Sequence, residues 1–298
     1  MYVSPPLLKE YREVPLIQED QDKLTPTQLK ALISHRSKMI LNKIESLLAS
    51  CSTDKSHFPS TILYNEGWML RLIMDCFSTL NIKNHPISVP AGCRWYSEAL
   101  LPSAFLPQSR SDSLGESWTH ADGVIGDFKI GRAAKANLIL SRDATHFVVL
   151  EAKIFSKLSS GVKHAVFFDQ AARNIACMAE VLRLAGRSPS ECSSLGFYVL
   201  APKSQIEGGI FKKDLNRDSV REKVERRVKE YEGKKDEWFL KYFIPALDCI
   251  KIEALSWEEL IDTVRKYDPG AENELEQFYA LCLQYNKIER INNGAIDL

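Results

Sequence analysis

KANLILSRDATHFVVLEAKIFSKL, residues 135–158, reads as two apolar strands joined by a polar turn. The second strand runs without a break into Glu151-Ala152-Lys153. Side chains alternate across a strand, so Phe147, Val149, Glu151 and Lys153 share one face, and Val148, Leu150 and Ala152 the other. An ionised Glu in so apolar a strand is costly unless it is paired or bound to a cation. Lys153 lies beside it, and on Glu-x-Lys alone a strand-end salt bridge leading to solvent is the simpler account. The short turn SRDAT predicts that ANLIL and the Glu151 strand pair as a hairpin. Asn137 is then expected near the same end as Glu151, where the two would offer oxygen ligands to one hard cation.

Outward from this hairpin the pattern alternates between strands and helices. Residues 1–24 are punctuated by proline and suit a surface strap. Thr25-Pro26 caps a helix with apolar residues recurring to about Leu48. TILYNEGWMLRLIMDCFSTL is a second amphipathic helix, and strand-like segments follow around 86–100 and in WTHADGVIGDF. FKIGRAAK reads as a turn or loop. After Glu-Ala-Lys a helix runs from about Val166 to Ala185 and stops at Gly186. SSLGFYVLAP suits a strand buried on both faces. Residues 211–235 hold ten Lys/Arg against six Asp/Glu and read as a solvated helix laced with pairs such as Glu222–Arg226 and Glu225–Lys229. CIKIEAL is another strand, and SWEELIDTVRKY opens with a capping box, Ser256 with Glu259. The order predicts an α/β/α sandwich with a central mixed sheet and helical additions at both ends. Its parts are an N-terminal strap and helix over 1–58, a core over 59–202, and a mostly helical extension over 203–298.

Composition narrows the class. The chain has 298 residues, 45% apolar and 26% charged, with Lys+Arg and Asp+Glu balanced at 39 each. No apolar run is long enough to span a membrane and no secretory leader is visible, so the expectation is a cytoplasmic protein without a membrane partner. Seven scattered cysteines without a CxxC pair argue against a disulfide framework or zinc knuckle. There is no GxxxxGK[ST], HExxH or GxSxG, which removes the P-loop NTPase, zincin and α/β-hydrolase classes. Trp68, Trp95 and Tyr96 read as core residues, His120 beside Asp122 is worth watching, and Glu98 is a minor candidate.

KANLIL…FVVLEAK resembles the PD-(D/E)XK nuclease superfamily, whose signature is an acid on one strand and (Asp/Glu)-x-Lys on the next. Members often carry a Glu on the helix before the sheet, a place taken here by Glu66 on the stripe with Leu70, Ile73 and Phe77. Some carry a Gln motif on the helix after the Glu-x-Lys strand, and FDQAARNIACMAEVL offers Gln170 and Arg173 there. The resemblance covers roughly residues 60–202. It departs from the pattern at Asn137, where the superfamily has Asp. Either the chain is inactive or weakened, or Asp122 in HADGVIGDF supplies the acid (Asp127 being the weaker substitute), or an aspartate has been exchanged at 137 to trap an inactive state.

The resemblance implies a restriction-endonuclease-like fold and a Mg²⁺- or Mn²⁺-dependent hydrolase that cuts DNA phosphodiesters to a 5′-phosphate and a 3′-hydroxyl. The metal ligands would be Glu151, Asn137 or Asp122, and Glu66. Lys153 would assist the attacking water, and Gln170 and Arg173 would orient the phosphate or the site. Nucleic acid, DNA first, is the expected partner, with room for a homodimer or another protein partner. The alternative is a nuclease-like domain that binds nucleic acid or a protein partner without cutting.

Overall fold

A computed structural model describes residues 26–54, 56–107, 112–131, 137–161 and 165–292. The strap expected over residues 1–24 lies outside the described residues, as do residues 132–136 of the expected FKIGRAAK loop. The chain divides into two compact units, Met1–Leu63 and Tyr64–Leu298. In the first, α1 spans Pro26–Ala49, followed by a 3₁₀ turn over Ser60–Ile62.

The second unit is mixed α/β. Its five-stranded sheet has the order β1 (Arg94–Leu101), β2 (Thr119–Gly126), β5 (His146–Ala152), β6 (Ser194–Ala201), β7 (Lys251–Ser256). The pairs β1/β2 and β2/β5 are antiparallel, and β5/β6 and β6/β7 are parallel. Every residue of β5 is buried, as expected of a strand flanked on both edges and covered on both faces. One layer is α2 (Glu66–Thr79) with α8 (Trp257–Arg265) and α9 (Pro269–Asn292). Met69, Leu70, Ile73, Met74 and Phe77 of α2 pack there against Val148, Leu150 and Ala152. The other layer is built on α3 (Gln170–Ala185), whose alanine-rich face meets Phe147 and Val149. Between β6 and β7 the chain forms α4 (Lys203–Glu207), α5 (Arg217–Lys229), α6 (Asp236–Trp238), one π-turn over Phe239–Phe243, and α7 (Ile244–Cys249).

The helix signals act as their chemistry predicts. Asn65 caps α2 by accepting from the Trp68 N–H at 3.0 Å, and Asp169 caps α3 by accepting from the Ala172 N–H at 3.0 Å. Gly186 ends α3 at φ 64°, where a side chain would be strained. Ser256 and Glu259 form the expected capping box on α8. The basic helix, now α5, keeps the Glu225–Lys229 pair at 2.8 Å. It is not wholly solvated: Arg227 is fully buried against Glu116 at 2.7 Å, with Glu230 and the Leu114 carbonyl as further partners. Among the described residues no helix is long and apolar enough to cross a membrane.

The expected hairpin does not form. β4 (Leu138–Leu140) pairs with β3 (Phe128–Ile130) in a separate two-stranded ribbon, so the residues read as a loop after Gly126 supply a strand. Both edges of β5 are already taken, one by β2 and the other by β6. The SRDAT segment therefore carries the chain from one sheet into the other, with the Ser141 N–H bonded to the Asp127 carbonyl at 2.9 Å.

Candidate active site at the β2–β5 junction

Two strands meet where each changes character. On β5 the alternation carries Phe147 and Val149 toward α3, and Glu151 follows on that face. On β2, Gly123 pairs with Leu150, which sets Asp122 at the level of Glu151. The Asp122 Oδ2 accepts the backbone N–H of Ala152 at 2.7 Å. Its carboxyl also hydrogen-bonds that of Glu151, which is 0% exposed.

Three donors converge on the Glu151 carboxyl. The Lys153 Nζ donates to Oε1 at 2.6 Å, the Gln170 Nε2 donates to the same oxygen at 2.5 Å, and the Asn174 Nδ2 lies 3.4 Å from Oε2. Burial pushes the Glu151 carboxyl well above the usual carboxylate range. The Asp122 charge and the shared hydrogen bond push it the same way, and the Lys153 ammonium opposes them. Lys153 is held in turn by its backbone, whose N–H reaches the Leu200 carbonyl at 2.8 Å and whose carbonyl takes the Trp257 Nε1–H at 2.9 Å. The orientation of the Gln170 amide is set by Ser159: its N–H and Oγ lie 3.1 and 3.3 Å from Oε1, leaving Nε2 to face Glu151.

A row of altered pleating runs through this site. On β2, Thr119 and Ala121 face the α3 layer, but Val124 does too, and Gly123 faces Leu70 of α2. On β1, Trp95 packs in the α2 layer, whereas Ala99 and Leu101 pack in the α3 layer. Strict alternation forbids both patterns, so each strand reverses its sides once. The reversal falls at Glu98, the residue level with Asp122 in the register, and Glu98 sits at φ 60°. Arg71 of α2 holds its carboxylate at 3.4 Å.

No family model, curated protein or solved structure matches this chain.

The residues expected at the site therefore divide. Asp122, Glu151, Lys153 and Gln170 are brought together. Asn137 is not: it bridges Leu100 of β1, the edge strand, and its amide packs against Gly131. Because β1 and β2 stand between that bridge and β5, about 14 Å of sheet separates Asn137 from Glu151. The expectation failed with the hairpin on which it rested. Asp127 lies beyond the β2–β5 pairing, beside Cys93, whose thiol is raised by burial and by the Asp127 charge. Glu66 opens α2, in the layer opposite α3, next to Cys282; burial and then the Glu66 charge push that thiol up to about 12. Arg173 turns away from Glu151, with Nη2 3.4 Å from the Thr119 Oγ1 and Nε 4.0 Å from Glu116.

Asn174 and Ser159 were missed. Asn174 stands one turn after Gln170, so the i,i+4 spacing within QAARN carried the signal. Ser159 carried none, since its contact depends on the fold of the loop.

The donor set suits a hard divalent cation. Two carboxyls in contact, one of them fully buried, repel when both are ionised, and a cation between them would remove that repulsion. Among the described residues no group of three or more His, Cys, Asp or Glu gathers around one point. The protein's share of a coordination shell would be Asp122 and Glu151, with water and substrate oxygens completing it.

Proposed function

We propose that this chain is a metal-dependent nuclease of the PD-(D/E)XK type with a restriction-endonuclease-like core, hydrolysing DNA phosphodiester bonds. The observation that carries the reading is the contact of the Asp122 and Glu151 carboxyls on adjacent strands, with the Lys153 ammonium 2.6 Å from Glu151. The closeness of Asp122, Glu151, Lys153 and Gln170 supports this reading, with Asp122 rather than Asn137 taken as the acid.

Mg²⁺ or Mn²⁺ bound by Asp122 and Glu151 would lower the pKa of a water and neutralise charge on the phosphate. The chain's own groups do the positioning. Lys153 holds Glu151 in line and presents N–H donors toward developing negative charge. Gln170, fixed by Ser159, and Asn174 keep both Glu151 oxygens oriented from the α3 side. The neutral overall charge leaves DNA contact to local surface rather than to a broad basic field.

The reading is tested by incubating linear, circular and single-stranded DNA with Mg²⁺ or Mn²⁺ and the parent protein, Lys153→Ala or Glu151→Gln. Cleavage by the parent, lost by at least about 100-fold in both variants, is the expected result. Equal cleavage in parent and variants would sink the assignment. A second reading, a domain that binds nucleic acid without cutting, draws on the complete burial of Glu151. It predicts binding without cleavage by the parent under every metal condition.

A further inference from the structure

Asn174 is 0% exposed and stands one turn after Gln170, on the face of α3 that covers Glu151. A primary amide brings two N–H donors and an oxygen with two lone pairs. Little of this is used. The Nδ2 reaches the Glu151 Oε2 at 3.4 Å, longer than the roughly 2.7–3.2 Å of an ordinary N–H···O bond. The Oδ1 is buried and accepts from no group among the described residues. Buried oxygens are nearly always satisfied, so one that accepts from nothing asks for a donor or a cation.

The surroundings favour the cation. Two donors of the site are committed elsewhere: Lys153 and Gln170 both give to the Glu151 Oε1. Oε2 has the Asn174 amide on its α3 side, and the Glu151 carboxyl meets that of Asp122 across the β2–β5 pair. A water could satisfy Oδ1 by itself, but it would leave the repulsion between the two carboxyls as it is. A divalent cation answers both needs. The geometry permits this. A half-turn of the amide exchanges Oδ1 and Nδ2, which sets an oxygen where Nδ2 now stands, 3.4 Å from Oε2. Neighbouring oxygens in an octahedral shell with bonds of about 2.1 Å lie about 3 Å apart, so a small shift closes the difference. An amide oxygen also suits the charge, since it adds a ligand without a third negative group in a buried place. Asp122, only partly buried, leaves a way in from β2.

We propose that Asn174 is a third protein ligand of the divalent cation, its Oδ1 joining the Asp122 and Glu151 carboxyls in one seat of two acids and one amide. This rests on the nuclease reading for the place of the cation, but cation binding is measured without nucleic acid.

The experiment titrates the full chain with Mn²⁺ in the absence of DNA and follows the free ion by its electron paramagnetic resonance signal. The variants are Asn174→Leu, which removes both ends of the amide, and Asn174→Asp, which keeps an oxygen but removes the donor. The expected result is that Asn174→Leu binds Mn²⁺ at least about tenfold more weakly than the parent, whereas Asn174→Asp binds it as tightly or tighter. A side chain that serves only as a donor to Glu151 would make both variants weaken alike, and that result would overturn the ligand. So would an Asn174→Leu chain that binds like the parent, or a parent that binds no Mn²⁺. Asn174→Cys guards against an Asn174→Asp chain that does not fold. A soft thiolate there should trade Mn²⁺ for Cd²⁺ and give a sulfur-to-cadmium charge-transfer band beyond any from the parent's own seven cysteines. Absence of a new band would count against the ligand as well. Mn²⁺ binding with the expected pattern, in a parent that cuts no DNA, would keep the ligand and reject the nuclease reading. Lys153-dependent cleavage, with Asn174→Leu binding Mn²⁺ like the parent, would do the reverse.

Discussion

Asp122→Asn should stabilise the protein in the absence of divalent cations while removing its response to them. The amide Oδ1 can still accept the Ala152 N–H that Asp122 takes at 2.7 Å. What disappears is a negative charge in contact with Glu151, which is 0% exposed. Two unit charges about 4 Å apart interact by roughly 4 kcal/mol at an effective dielectric of about 20. The Asp122 charge, after burial, pushes the Glu151 carboxyl upward, which favours proton uptake over the full repulsion. The half-exposed Asp122 is also partly screened, so about 1–2 kcal/mol remains to be recovered. For a unit of this size that is a rise in Tm of roughly 2–6 °C. The assay is thermal unfolding of parent and variant in EDTA and in millimolar Mg²⁺ or Mn²⁺. The parent should gain stability with the cation by linkage, and the variant should gain little or none. A variant less stable than the parent in EDTA, or one that responds equally to the cation, would refute the view that the Asp122–Glu151 pair is a strained cation seat.

Asn137→Asp should leave DNA cleavage within about twofold of the parent, because β1 and β2 separate it from Glu151; a large gain in turnover would restore Asn137 to the site. Arg227→Met should cost about 3–5 kcal/mol in urea unfolding, since it strands the buried Glu116 carboxylate, and adding Glu116→Gln should return part of that loss; an additive double variant would contradict the pairing. Burial lowers the His85 imidazole to about 4, and its Nδ1 accepts the Ile87 N–H at 3.3 Å, which requires the neutral ring. The folded pKa lies below the ordinary 6.5, so this contribution is intact above pH 6.5 and is lost as pH falls toward about 4. Urea midpoints should decline over that window and decline less in His85→Gln, and parallel curves for the two proteins would count against it.

Much of the site was legible because its signal is local. A carboxylate ending the run FVVLEAK stands out against the apolar cost of burying it, and strand alternation alone puts Lys153 on its face. Gln170 was found on a helix with a clear stop at Gly186, although that helix begins at Gln170 itself and not near Val166. What failed was the partner of β5. Pairing across strands depends on which edges are free, and nothing within ANLIL shows that β3 will claim it first. Asp122 stood in the sequence as a substitute, but its priority rests on the Gly123–Leu150 register, which connects residues 27 apart. Arg173 resembled a site residue because it follows Gln170 by one turn, yet its partners Glu116 and Thr119 come from a different stretch of chain. The exposure of Trp68 was readable: it falls outside the Met69-Leu70-Ile73-Phe77 stripe, on the far side of the helix.

The reversal at Glu98 and Asp122 has a meaning for how a fully covered sheet can host acids at all. Wherever a strand alternates regularly between two apolar layers, every side chain belongs under one helix or another, and a carboxylate there is sealed from water as Glu151 is. A single left-handed residue on β1 shifts the parity of everything after it. The residues before that row are claimed by one layer, those after it by the other, and the row itself is claimed by neither. The sheet thereby keeps both its cores dry while leaving one line across two strands where charged groups stand at the boundary, open to whatever they are there to meet.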